Sequence, residues 1–266
     1  MTAIERLHAE LSKLEQAAVA VSGGIDSLTL ATVAHRLLGA RVSMHHATSP
    51  AVPGEATARA RALAGREGWS LDVFDAGEFD DPDYRANPVN RCFFCKTNLY
   101  GAVARRTTRT ILSGTNLDDL GEYRPGLDAA QRHAVRHPFV QARIDKRTVR
   151  ALALELGLGE LSELPSAPCL SSRIETGIRI EPQVLAMVHE AEKHVIAALA
   201  PRTVRCRVRA GGIVIELDEA TLAALDAGRS EGLAAELAAL GRAAGLHAPV
   251  GFAPYRNGSA FVRAAS

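Results

Sequence analysis

Two adjacent glycines behind a short apolar run constrain this chain more than any other stretch. Ala17-Ala18-Val19-Ala20-Val21 is closed by Ser22-Gly23-Gly24-Ile25-Asp26-Ser27 and followed by the helix-like residues 28–38. The order reads as buried strand, tight turn and helix. Such an arrangement is a phosphate cradle: Gly23 and Gly24 let the backbone turn sharply and approach an anion, while the turn's N–H groups and the positive helix end face it. Ser22 and Ser27 add hydroxyl donors, and Asp26 can hold a Mg²⁺ that travels with phosphates. The plainer reading is a Gly-Gly turn capping a helix. The Lys of G-x-x-x-x-G-K-[ST] and the G-x-G-x-x-G spacing are both missing, so neither a Walker NTPase nor a dinucleotide fold is indicated.

The S-G-G-x-D-S run resembles the signature of the PP-loop ATP pyrophosphatases, which implies cleavage of ATP between its α and β phosphates and adenylation of a substrate. Around it, residues 4–14 read as a leading helix, 41–47 as a strand, 55–68 as a helix and 70–75 as a strand. Strands alternating with helices predict right-handed βαβ units in an α/β fold with a parallel, doubly wound sheet. Ligands of such sheets bind beyond the C-terminal strand ends, where the cradle lies and where Thr48 is placed to meet adenosine. His45 and His46 are adjacent on a strand and point to opposite faces, so they read as structural rather than as a metal pair.

A 266-residue chain that is 47% hydrophobic has ample material for a buried core. Its 31 basic and 30 acidic residues leave a formal charge of +1, which is no footprint for stable nucleic-acid binding. No basic-apolar-small leader pattern and no apolar run of ~20 residues occur, so a cytoplasmic protein without a membrane partner is expected. Four cysteines, Cys92, Cys95, Cys169 and Cys206, are too few and too unevenly spaced for a disulfide scaffold and read as reduced thiols with chemical or metal roles.

Residues 77–90 read as a loop entering Asn90-Arg91-Cys92-Phe93-Phe94-Cys95-Lys96. Cys-x-x-Cys lets two thiolates share a metal, with Arg91 and Lys96 lowering their pKa. One pair alone leaves open a redox dithiol, a zinc or iron-sulfur half-site completed elsewhere, or the first turn of a buried helix. A helix over 96–106 and a strand over 110–113 lead to Ser113-Gly114-Thr115-Asn116-Leu117-Asp118-Asp119-Leu120. Gly114 and its small polar neighbours fit a nucleotide floor, and the two carboxylates suit Mg²⁺. Gly121-Glu122-Tyr123-Arg124-Pro125-Gly126-Leu127 is turn-rich, its Arg124 either meeting an anionic partner or solvated. A helix over 146–156 precedes Leu164-Pro165-Ser166-Ala167-Pro168-Cys169-Leu170-Ser171-Ser172-Arg173-Ile174.

Taken together, the cradle, R-C-F-F-C-K, G-T-N-L-D-D, E-Y-R-P-G and the segment around Cys169 resemble the LarE family of ATP-dependent sulfur transferases, in order from Ala20 to about Glu216. The resemblance implies that ATP adenylates a carboxylate of a pyridinium-dicarboxylate mononucleotide and that sulfur then displaces AMP, leaving a thiocarboxylate of the nickel-pincer cofactor. It places the sulfur-bearing cysteine at Cys169, with Arg173 nearby to favour its thiolate. Family members either surrender that cysteine's sulfur, leaving dehydroalanine, or hold a 4Fe-4S cluster on three cysteines. Cys92, Cys95 and Cys169 supply the three thiolates that leave one iron without a protein ligand, which favours the cluster version here. Zinc on three thiolates is a third possibility.

Beyond Pro182, a helix over 184–199 carries Glu192, which aligns with a family site residue. Val204-Arg205-Cys206-Arg207-Val208-Arg209 alternates as a strand, with Cys206 in the core and the three arginines on the other face. Such a row repels itself unless an anion sits over it; in the family, the pair matched by Arg207 and Arg209 binds the substrate phosphate. A Gly211-Gly212 turn predicts a hairpin to a strand over 213–217, where Glu216 matches a family site position. Val214 and Glu175-Thr176-Gly177 depart from the family pattern around the substrate. Helices over 219–226 and 231–244 and strands near 250–253 and 259–262 complete a smaller α+β domain. The expected division is 1–177 and 178–266, with the chain forming a homo-oligomer as its family does. The rival enzymes are an amidating synthetase of the NAD or GMP type and a tRNA thiolase; a non-catalytic nucleotide- or metal-binding regulator is the remaining alternative.

Overall fold

The computed structural model describes residues 1–121, 125–164 and 169–262. In chain order its elements are α1 (Ala3–Leu11), β1 (Ala17–Ala20), α2 (Ile25–Leu38), β2 (Val42–Thr48), α3 (Gly54–Glu67), β3 (Leu71–Asp75), α4 (Pro82–Arg85), α5 (Arg91–Arg106), β4 (Thr110–Leu112), α6 (Pro125–Arg132), α7 (Pro138–Gln141), α8 (Lys146–Glu155), α9 (Gly159–Ser162), α10 (Pro182–Leu199), β5 (Val204–Arg209), β6 (Gly212–Leu217), α11 (Glu219–Ala223), α12 (Ala227–Ala243) and β7 (Val250–Pro254). By internal contact the chain divides into Met1–Asp81 with Asn90–Ala167, and Pro82–Val89 with Pro168–Ser266. Among the described residues no helix is long and apolar enough to cross a membrane.

The first unit is α/β, built on a four-stranded sheet in the order β3-β2-β1-β4 with every pairing parallel. Side chains alternate across β1, so its two faces enter two cores. Ala17 and Val19 join Leu7, Leu11, Leu28, Val33, Met44, Phe139 and Leu152, which brings α1, α2, α7 and α8 onto one face. Ala18 joins Phe74, Tyr100, Val103, Ile111 and Ala130, which brings α5 and α6 onto the other. Helices therefore cover both faces, as a parallel sheet requires. The small side chains of β1 let its helical neighbours come close.

In the second unit β5 and β6 form an antiparallel hairpin, and β7 adds to β6 in parallel. Gly212 opens β6 at φ 142°, where a Cβ would lie 2.7 Å from the Pro249 carbonyl oxygen. Two local expectations fail. The run near 259–262 forms turns rather than a strand, because Tyr255 N–H already closes onto the Leu217 carbonyl and the chain then bends through Asn257 and Gly258. The helix expected from Lys96 begins at Arg91, so both cysteines of the Cys-x-x-Cys lie in its first turns.

Residues 82–89 read as a loop from their Asp, Pro and Asn content, yet the segment belongs to the second unit and buries Tyr84 and Asn87 there. Asn87 is fully buried at φ 56°, and its Nδ2 lies within hydrogen-bond distance of the carbonyls of Glu175 at 2.8 Å, Ile178 at 2.9 Å and Ile174 at 3.4 Å. Beside it, the Tyr84 hydroxyl meets Ser171 Oγ at 2.6 Å and Arg85 pairs with Glu181 at 2.5 Å. Asn tolerates the left-handed conformation better than most residues, and here its side chain also holds a turn. Asn87→Ala should lower stability by about 2–4 kcal/mol, since it strands buried carbonyls and retains the unfavourable φ. Urea unfolding of the two proteins, compared at their midpoints, checks this.

Candidate functional site

The cradle of the first unit is held by its own serines. Ser27 Oγ accepts from the Ser22 N–H at 3.0 Å, lies 3.1 Å from Ser22 Oγ and donates to the Gly24 carbonyl at 3.1 Å. Gly23 turns the chain at φ 78°, and a Cβ there would lie 2.4 Å from the Ala56 carbonyl oxygen. Only glycine fits on both counts. Arg59 Nε donates to the Gly23 carbonyl at 3.1 Å, fixing the turn from α3. Gly24 caps α2 without a side-chain hydrogen bond, so the first N–H groups of this helix keep an anion-facing edge. Gly114, at the end of β4, presses on the same helix start: its Cβ would fall 2.8 Å from Ser27 N.

Asp26 in the first turn of α2 receives Asn116 Nδ2 at 3.2 Å and a short contact from Lys146 Nζ. Lys146 is the first residue of α8, where the helix dipole disfavours a cation, and the Asp26 carboxylate offsets that position. Asp118 Oδ2 accepts from the Lys146 N–H at 3.1 Å, and Asp119 Oδ2 from the Asn116 N–H at 3.0 Å, so these two carboxylates shape the loop. Ser113 Oγ lies 2.7 Å from His137 Nδ1, and burial holds that imidazole below its ordinary pKa. Thr48 Oγ1 donates to the Phe74 carbonyl at 3.3 Å at the end of β2. The result is a backbone pocket with a carboxylate and an ammonium at its rim, suited to a polyphosphate and its cation.

Cys92 and Cys95 are half-buried and lie three residues apart on the first unit's α5, a spacing that puts both on one helix face. Cys169 belongs to the second unit, half-buried as the cap of the 3-10 turn Leu170–Arg173, and its carbonyl accepts from Arg173 Nη1 at 3.2 Å. Cys206 is fully buried, and burial pushes its thiol far above the ordinary range, so it is an inert core thiol. Among the described residues no three His, Cys, Asp or Glu side chains are gathered to hold a metal ion. Arg124, Pro165 and Pro168 lie outside the described residues.

The second unit buries two arginine–glutamate systems. Arg173 grips Glu192 with Nε at 2.9 Å and Nη2 at 3.0 Å, and Glu192 also accepts from the Cys206 N–H at 3.0 Å. Across the hairpin, Glu216 accepts from Arg207 Nε at 2.9 Å, Arg209 Nη2 at 2.7 Å and Ser259 Oγ at 2.6 Å. The anion over this arginine face is thus, for Arg207 and Arg209, an internal carboxylate. Arg205 instead lies 5.8 Å from the centre of the Tyr255 ring. Arg207 Nη1 further donates to the Ser172 carbonyl at 3.0 Å, tying the segment after Cys169 to β5. Sequence reading singled out neither Arg59 and Lys146 as partners of the cradle nor Ser259 as a partner of Glu216. Their contacts span 36, 120 and 43 residues, and no local pattern marks such pairs.

Burial alone would raise the Glu216 carboxyl, but hydrogen bonds from Ser259 and Arg207 outweigh it and leave the group below its ordinary range. A depressed folded-state pKa contributes stability that is present above the unfolded value of ~4.3 and is lost as pH falls through the folded one. Glu216→Gln should therefore cost about 3–5 kcal/mol at neutral pH, leaving a buried guanidinium without its counter-charge, and should flatten the acid limb of the stability profile. Urea unfolding at neutral and acid pH reads both effects. At the cradle, Gly23→Ala should cost more than about 1 kcal/mol through strain and clash, read from the shift of the urea midpoint.

No protein-family model matches the chain. It is 31% identical over 221 residues to the pyridinium-3,5-bisthiocarboxylic acid mononucleotide synthase of Lactiplantibacillus plantarum, covering 81% of this chain and 79% of that protein. It is 36% identical over 193 residues to the uncharacterized protein slr1717 of Synechocystis, covering 71% and 72%. A shorter match, 30% over 111 residues, joins it to the uncharacterized protein MJ0830 of Methanocaldococcus jannaschii across 40% of this chain and 43% of that one. The length and identity of the first of these matches place this chain in the LarE family, that of the pyridinium-3,5-bisthiocarboxylic acid mononucleotide synthases.

Proposed function

We propose that this protein is an ATP-dependent sulfur transferase of nickel-pincer nucleotide biosynthesis. It adenylates a carboxylate of pyridinium-3,5-biscarboxylic acid mononucleotide and converts it to a thiocarboxylate. The observation that supports this reading is the cradle, in which Gly23 and Gly114 are sterically obligatory and the start of α2 carries no side-chain cap. The substrate carboxylate attacks the α-phosphorus of ATP, and the β- and γ-phosphates leave as pyrophosphate onto the N–H groups of Gly23, Gly24 and α2. Lys146 stands beside Asp26 to balance charge there. Ser22 and Ser27 keep the turn in shape, and Thr48 and Gly114 border the nucleoside. Asp26 is the residue that would hold Mg²⁺, which supplies charge neutralisation to the phosphates.

Sulfur then attacks the activated carbonyl carbon and AMP departs. Cys169 is the sulfur-transfer residue of this reading, and Arg173 both accompanies it and locks Glu192. The mononucleotide phosphate goes to the arginine face of β5, with Arg209 reaching it from a side chain 29% exposed while Arg207 is buried behind Glu216. In donor type, the thiols of Cys92, Cys95 and Cys169 fit a 4Fe-4S cluster, which would supply a labile sulfide. Without it, Cys169 Sγ forms the bond to the acyl carbon as AMP leaves, and loss of the residue's α-proton then breaks its Cβ–Sγ bond, releasing the thiocarboxylate and leaving dehydroalanine. We further propose that the protein works in the cytoplasm as a homo-oligomer and without a nucleic-acid partner.

Cys169→Ala separates adenylation from sulfur transfer. Pyrophosphate release from ATP should still depend on the carboxylate substrate, while the thiocarboxylate, followed by mass spectrometry, should disappear. Release of pyrophosphate without substrate, or a product formed with ammonia in place of sulfur, would overturn the reading in favour of an amidating ligase or a different nucleotide enzyme.

A further inference from the structure

The first unit carries a cavity of about 610 Å³ at the N-terminal ends of its strands, opposite to the strand ends that bear the cradle. Its walls include His35, Ser43, His45, Asp72, Arg106 and Arg109. Ser43 and His45 lie two apart on β2 and share a face, and His45 is registered against Asp72 of β3. His45 Nε2 meets Ser43 Oγ at 3.0 Å, and its Nδ1 lies 3.5 Å from Asp72 Oδ2.

Asp72 is shared with Arg106, whose Nε is 3.3 Å away and whose guanidinium stacks on the Phe74 ring at 4.1 Å. Arg109 Nη2 reaches only the Ala40 carbonyl, at 3.5 Å, and among the described residues it joins no ion pair. A half-buried guanidinium left over after the local carboxylate is engaged is a charge in want of an anion. Ser43 and His45 are engaged with each other and with Asp72, which leaves the guanidinium groups as the cavity's donors for an oxyanion.

We propose that this cavity is a second ligand site, which takes inorganic phosphate or the phosphate of a small phosphomonoester on Arg109 and Arg106. The site is separate from the cradle and owes nothing to the reading of that cradle as an ATP site.

Imidazole resonances of His35 and His45, assigned by single replacement and followed by NMR on the full chain, report on this cavity and not on the cradle. Titration with inorganic phosphate should move both signals saturably. Arg109→Gln, a half-buried position whose loss leaves the core intact, should weaken that titration about tenfold or more, as for a lost charge-assisted hydrogen bond. Ser27→Ala, in the cradle, should leave it unchanged. Ribose 5-phosphate binding tighter than inorganic phosphate would assign a phosphomonoester, and equal binding would assign the free ion. Signals that stay still up to saturating phosphate, or that titrate alike in Arg109→Gln, would overturn the proposal.

Discussion

The first unit depends on backbone meeting backbone around the start of α2. Gly114 at the end of β4 and Gly23 in the turn after β1 each lie where a single methyl group would enter occupied space, 2.8 Å from Ser27 N in one case and 2.4 Å from the Ala56 oxygen in the other. Close packing of this kind cannot be approximated by a larger residue. It brings the ends of two neighbouring strands, the helix N-terminus and the loop bearing Asn116 into one place. Asp26 and Lys146 then meet there although they are far apart in sequence. A parallel sheet covered on both faces leaves its strand ends open, and the glycines draw the turn, the helix start and the Asn116 loop together at that opening.

A different constraint governs the second unit. Charges removed from water must find counter-charges, and each buried guanidinium here has one: Arg173 holds Glu192 and Arg207 holds Glu216. Each carboxylate is shared with a further donor, the Cys206 N–H or the Ser259 hydroxyl, so few of its lone pairs are wasted. Arg209 is the outermost member of this row, and it presents a positioned cation at the edge of the hairpin. The segment after Cys169 is sewn to the same hairpin through Ser172, Ile174 and Glu175. Cys169 therefore sits at the start of a short segment anchored to the arginine strand.

Much of the first unit was legible from residue pattern, because strands of three to seven residues alternating with helices admit few topologies. The obligatory glycines were legible too, since nothing else satisfies a tight turn facing a helix. What pattern could not reveal are contacts between distant residues: Lys146 with Asp26, Arg59 with Gly23, and Asn87 with the carbonyls of residues 174–178. Asn87 sits in a stretch whose Asp, Pro and Asn content reads as solvated loop, yet tertiary packing buries it. The arginine face of β5 shows the same limit. Alternation correctly put Arg205, Arg207 and Arg209 together, but only the hairpin register shows that Glu216 neutralises two of them.

The central claim is that the cradle activates a carboxylate for sulfur transfer. Its most direct measurement is the mass of the product formed when protein, ATP, Mg²⁺ and pyridinium-3,5-biscarboxylic acid mononucleotide are mixed under anaerobic conditions. The account predicts a thiocarboxylate that requires ATP and Cys169, accompanied by AMP and pyrophosphate. A mononucleotide returned unchanged by folded, ATP-bound protein, with no pyrophosphate released, would contradict it.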